Sequence, residues 1–182
     1  IGITGEYISQ IGDLANFTSK QHIDAENMVV APGFINMLSW ATQPLLVDGR
    51  ALSDIKQGVT LEIMGEGNSM GPLNDAMKIS MKEKQSNIKY DVTWTTLNEY
   101  LERIVDQGVS VNVASYVGAT TVRIHELGYI NRKPTPVELI RMQNLVEEAM
   151  LDGAIGVGSS LIYTPASFAD TDELIALVKI AA

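Results

Sequence analysis

The sequence contains no cysteine. That absence excludes disulfides, thiolate metal ligands and a cysteine nucleophile. Basic residues are also scarce: 13 Lys and Arg stand against 22 Asp and Glu, a formal charge of −9 over 182 residues. Phosphate-rich partners attract Lys and Arg, so neither nucleic acid nor an anionic membrane surface is expected as the main partner. No apolar run approaches the ~20 residues that span a bilayer, so no transmembrane segment is expected. There are two histidines, His22 and His125. Neither has a second His at metal-ligand spacing, and both read as structural or surface residues. What remains is an ordinary globular mixture, 46% hydrophobic and 19% charged, with enough chain for a sizeable core.

Residues 1–30 read as short strands and turns, beginning with a hairpin that turns near Gly5. The run Met28-Val-Val-Ala-Pro-Gly-Phe-Ile-Asn-Met-Leu38 breaks at Pro-Gly and continues as a strand over 34–38. Strand and helix patterns then alternate. Residues 48–57 read as a helix closed by Gly58, 59–64 as a strand, 97–106 as a helix with Thr96 and Glu99 spaced as a capping box, and 109–114 as a strand. Thr135-Pro136-Val137-Glu138 opens another helix, 154–157 reads as a strand, and Asp170 begins a final helix. The polar stretch 74–89 fits no pattern. Single strands between helices predict a parallel α/β sheet of about four strands. A complete (β/α)₈ barrel needs ~250 residues, so roughly half of one is accommodated here. Ile1 stands inside a strand-like run and the last helix has no stop signal, so the chain reads as a piece of a longer protein whose targeting signal is not legible.

In such folds chemistry sits at the carboxyl ends of the strands. Three stretches qualify: 36–40, 65–71 and 159–165. Glu66, between Gly65 and Gly67 directly after an apolar strand, is placed to bind a divalent metal or act as a base, against the plainer reading of a solvent-facing loop acid. Tyr163 offers a phenol to a substrate oxygen, against the plainer reading of a packed Tyr. Ser159-Ser160 lacks the spacing of a nucleophile elbow. The glycines at 65–71 match neither a phosphate loop nor a dinucleotide fingerprint.

Val29-Val-Ala-Pro-Gly-Phe-Ile-Asn36 resembles the entry to the first barrel strand of the amidohydrolase superfamily, and Gln57-Gly-Val-Thr60 its second. Gly153-Ala-Ile-Gly-Val-Gly-Ser-Ser-Leu-Ile-Tyr-Thr-Pro165, Ala169-Asp-Thr-Asp-Glu173 and Asn112 to Arg123 are similar to the N-acyl-D-amino-acid deacylase (D-aminoacylase) branch. The resemblance implies a metal-bearing TIM-like barrel with a small β-sandwich, residues 1–30 belonging to the sandwich and 31–182 to the first half of the barrel. It implies a zinc-dependent hydrolase that deacylates small-molecule N-acyl-D-amino acids by metal-activated water, with an Asp beyond Ala182 as proton shuttle. Three departures stand out. Leu38 and Trp40 occupy the positions of the usual His-x-His pair. Glu66, or Gly67 if no gap is introduced, stands where the family carries a ligating Cys, and Ala119 where it tends to carry His. Two expectations follow: a hydrolase with a reduced metal site using Glu66, with Tyr163 on the substrate, or a decayed barrel serving as a binding or scaffold protein.

Overall fold

The computed structural model describes residues 1–182, which divide into two units, Ile1–Pro32 and Gly33–Ala182. In the first, β1 (Gly2–Thr4) and β2 (Tyr7–Gln10) pair antiparallel. Gly5 makes the turn with a left-handed φ of +61°, a conformation glycine adopts without steric cost. The rest of the unit is a succession of side-chain-stabilised turns: Asp13 and Asp24 accept the N–H groups of Ala15 and Glu26, two residues on. His22 lies there, exposed.

The second unit is α/β with a parallel sheet. β3 (Phe34–Asn36), β4 (Val59–Met64) and β5 (Asn112–Ser115) lie in the order β3-β4-β5, all parallel. A separate parallel pair joins β6 (Val117–Gly118) to β7 (Val157–Gly158). The four-strand sheet predicted from the sequence is thus a sheet of three plus a pair. The β4–β5 ladder ends at Met64 and Ser115, where Gly65 turns the chain at φ +86°. The strand expected at 34–38 stops at Asn36, whose side chain accepts the Leu38 N–H and bends the chain.

The helices follow their start signals. Thr96 and Thr135 close capping boxes with Glu99 and Glu138 at the heads of α3 (Leu97–Gln107) and α5 (Pro136–Leu151). Asp170 caps α6 (Thr171–Ala181), and α4 spans Ala119–Leu127. Two expectations need correction. The helix predicted over 48–57 is only α1 (Leu52–Ile55), because Ala51 sits in the left-handed region and breaks the span. The unassigned stretch 74–89 contains α2 (Asp75–Glu83), capped by Asn74 on the Met77 N–H.

The core is built between the sheet and the helices from Met64, Trp94, Leu97, Tyr100, Ile104 and Val117, continued by Val122, Met142, Val146 and Leu177. One ion pair is buried with it. Arg123 on α4 donates to Glu173 on α6 at 2.5 Å and to the Arg132 carbonyl at 2.6 Å, with both side chains almost wholly buried. Removing one member strands the other charge in the interior. Glu173→Ala is therefore expected to cost about 3–5 kcal/mol in chemical denaturation, whereas the double replacement Arg123→Met with Glu173→Leu costs much less. Equal losses for both would contradict this.

Candidate functional site

At the carboxyl ends of β3 and β4 an open cleft of about 450 Å³ is lined by Leu38, Ser39 and Trp40 on one lip and by Gly65 to Met70 on the other. That volume lies within the usual range of small-molecule sites. Two of the three stretches singled out in the sequence therefore meet. Helix α2 and parts of α4 form the remaining walls.

Glu66 is half-buried and lines this cleft. Its neighbours let the backbone lie flat. A side chain at Gly65 would strike the Tyr116 carbonyl, and one at Gly158 would strike the Glu66 carbonyl. At Gly67 a Cβ would stand 2.8 Å from that of Ser160, so a side chain there displaces the neighbouring segment. Glu66 and Gly67 both line the cleft.

The loop is held by the head of α4. No side chain caps that helix, so its first N–H groups need other acceptors. Gly118 N–H donates to Ser69 Oγ at 3.0 Å and Thr120 N–H to the Gly67 carbonyl at 3.1 Å. Ser69 N–H donates to Thr121 Oγ1, and Ser69 Oγ to the Gly71 carbonyl. Aromatic residues fix both lips: Trp94 Nε1 donates to the Met70 carbonyl at 2.5 Å and Tyr100 Oη to the Thr42 carbonyl at 2.9 Å.

Sequence reasoning missed Glu62. This β4 carboxylate is fully buried, accepts the Ser39 hydroxyl at 2.5 Å through Oε2, and has no partner on Oε1. It shares its face of β4 with Met64, two residues on, whose sulfur meets the Tyr100 hydroxyl. Desolvation raises its pKa, the Ser39 hydrogen bond opposes that, and the Asp54 charge adds to it. The signal was present as a lone acid inside an apolar strand, Leu61-Glu-Ile-Met64.

Tyr163 stands apart from this cluster. It is 59% exposed and does not line the cleft, although Ser160 of the same segment touches Gly67. His125 faces Glu126, its Nδ1 3.2 Å from the carboxylate, and Ala119 is buried in the first turn of α4.

No family model matches the chain. Individual proteins do. D-aminoacylase of Alcaligenes xylosoxydans xylosoxydans is 31% identical, covering 98% of this chain and 37% of its own length. N-acyl-D-aspartate deacylase of the same organism is 31% identical over 96% of the chain and 35% of its own. A solved D-aminoacylase with a binuclear metal centre superposes with a TM-score of 0.82 at 30% identity, over 98% of this chain and 38% of that one. Along nearly its whole length the chain is thus similar to D-aminoacylases and N-acyl-D-amino-acid deacylases. It covers little more than a third of the length of these relatives. N-acyl-D-glutamate deacylase of Bordetella bronchiseptica, solved with zinc and a phosphonate inhibitor, superposes at a TM-score of 0.76 with 25% identity, over 94% of this chain and 36% of that one.

Zinc in a catalytic site takes three protein ligands. Here the cleft offers the single carboxylate of Glu66, with Leu38 and Trp40 on the facing lip. Nowhere do three His, Asp or Glu side chains gather. The donors of these 182 residues do not by themselves make a zinc site.

Two outcomes follow from the geometry. Ser69→Ala leaves the Gly118 N–H and the Gly71 carbonyl without their buried partner, so it is expected to cost about 1–3 kcal/mol in a denaturant titration; an unchanged midpoint would contradict the role given to Ser69. Glu62 has a raised folded-state pKa, so its contribution is fully present below the unfolded carboxyl value and is lost as pH rises through the folded one. Glu62→Gln is therefore expected to gain melting temperature relative to wild type between pH 4 and pH 8. Parallel melting curves across that range would contradict a buried acid at this position.

Proposed function

We propose that the protein to which this chain contributes is a zinc-dependent hydrolase that deacylates N-acyl-D-amino acids. The observation that carries the reading is the D-aminoacylase likeness along 98% of the chain, which coincides with a cleft at the strand ends containing Glu66. On this reading Gly33–Ala182 is the first half of a TIM-like barrel and the β1–β2 hairpin a piece of a β-sandwich. Glu66 is the one metal donor these residues offer, with further donors and a proton-shuttling Asp outside them. The chain's own part is to hold that carboxylate on the loop fixed by α4 and to enclose the substrate between β3, β4 and α2; Tyr163, outside the cleft, takes no part. The alternative of a decayed scaffold draws no support from relatives named as deacylases.

The test is the full-length gene product on paired N-acyl-D- and N-acyl-L-amino acids, with zinc measured per protein. Expected are turnover of the D series and, in Glu66→Ala, a loss of zinc affinity of more than about 10-fold, the scale seen even for outer-shell ligand partners. Unchanged zinc content in the variant would remove Glu66 from the ligand set. Absence of D-specific turnover would remove the deacylase reading.

A further inference from the structure

The cleft extends well past Glu66, and its shape is informative. Helix α2 presents Met77, Ser80, Met81 and Lys84 to it, residues three to four apart and hence on one helical face. From Ala76 to Lys84 the wall runs about 12 Å at 1.5 Å per residue. Met70, Leu73, Ile124 and Tyr129 also line it. The lining is predominantly apolar, and its only charged side chains are Glu66 and Lys84. The outer end is polar: Lys84 Nζ sits 5.4 Å over the Tyr129 ring, and Gln85 bonds the Tyr90 backbone through both ends of its amide.

We infer that this groove is an acyl-chain subsite, selecting N-acyl amino acids whose acyl group is a linear chain of medium length running from Glu66 along α2 toward Lys84. The inference rests on the deacylase reading above and deepens it. Three features decide for a chain over an apolar amino-acid side chain. The groove is long and follows one helix face, whereas Leu, Met or Phe side chains are too short to reach its outer end. Met70, Met77 and Met81 are unbranched and adapt to a flexible ligand. The apolar stretch ends at Lys84 and Gln85, which sets an upper limit to the chain. The occupant is thus an apolar acyl tail, with the amide beside Glu66.

The test uses the full-length protein and the free acids acetate, butanoate, hexanoate and octanoate, which cannot be hydrolysed, in calorimetric titrations. Each added methylene is expected to tighten binding about twofold to fourfold up to the length of the groove. Ser80→Trp or Met77→Trp fills the groove and is expected to lower the octanoate-to-acetate affinity ratio at least tenfold. Affinity independent of chain length in the wild-type protein would overturn the subsite, as would a ratio that the filling variants leave unchanged. A companion turnover series, N-acetyl- against N-octanoyl-D-alanine, separates the two readings. Chain-length-dependent binding without any turnover retains the groove and rejects the deacylase. Turnover with flat chain-length dependence retains the deacylase and rejects the groove.

Discussion

The site depends on one exchange of hydrogen bonds: the head of α4 lacks a side-chain cap, and the loop carrying Glu66 supplies the acceptors instead. Four N–H groups at a helix start have no partner within the helix. Here a serine hydroxyl and a glycine carbonyl answer two N–H groups at the head of α4. The loop is thereby fixed by the helix, and the helix is terminated by the loop. Glycines at 65, 67, 118 and 158 make this possible, because side chains at these points would collide with the neighbouring backbone or with Ser160.

Around that exchange the rest of the second unit is arranged to hold the lips of the cleft. Trp94 and Tyr100, packed at 5.4 Å between ring centroids, each use their one polar atom on a carbonyl of an opposite lip. Large buried aromatics supply apolar area and orientation together. The Arg123–Glu173 pair ties α4 to α6, so the helix that anchors the Glu66 loop is itself anchored. Glu62 beneath Ser39 is the exception, a buried carboxylate with one free oxygen. Burying a charge in this way is costly unless the group is neutral or paired.

Much of this was legible in the sequence where local chemistry is decisive. β4 begins and ends where its apolar run does, and both Thr–Glu capping boxes form as read. Glu66 could be singled out because an acid between glycines after an apolar strand is an unusual combination. Helix α2 was not legible. Met77 and Met81 line the cleft and pack only partly against the core, Ile79 is exposed, and no residue of the helix is fully buried, so they do not form the continuous stripe that marks a packed helix. Only Asn74, the cap, announced it. The Ser39–Glu62 contact joins residues 23 apart, and no short-range pattern encodes it. Tyr163 was chosen for its place at a strand end, yet β7 is only two residues long and the segment beyond it carries the phenol away from the cleft.

The central proposal is that Glu66, in the cleft between the ends of β3 and β4, takes part in the chemistry of the protein to which this chain contributes. The most direct measurement is a crystal structure of the full-length protein with a phosphonate analogue of an N-acyl-D-amino acid. The account predicts the phosphonate within coordination reach of the Glu66 loop and the acyl arm lying against α2. A phosphonate bound elsewhere, with the Glu66 carboxylate facing solvent, would contradict it.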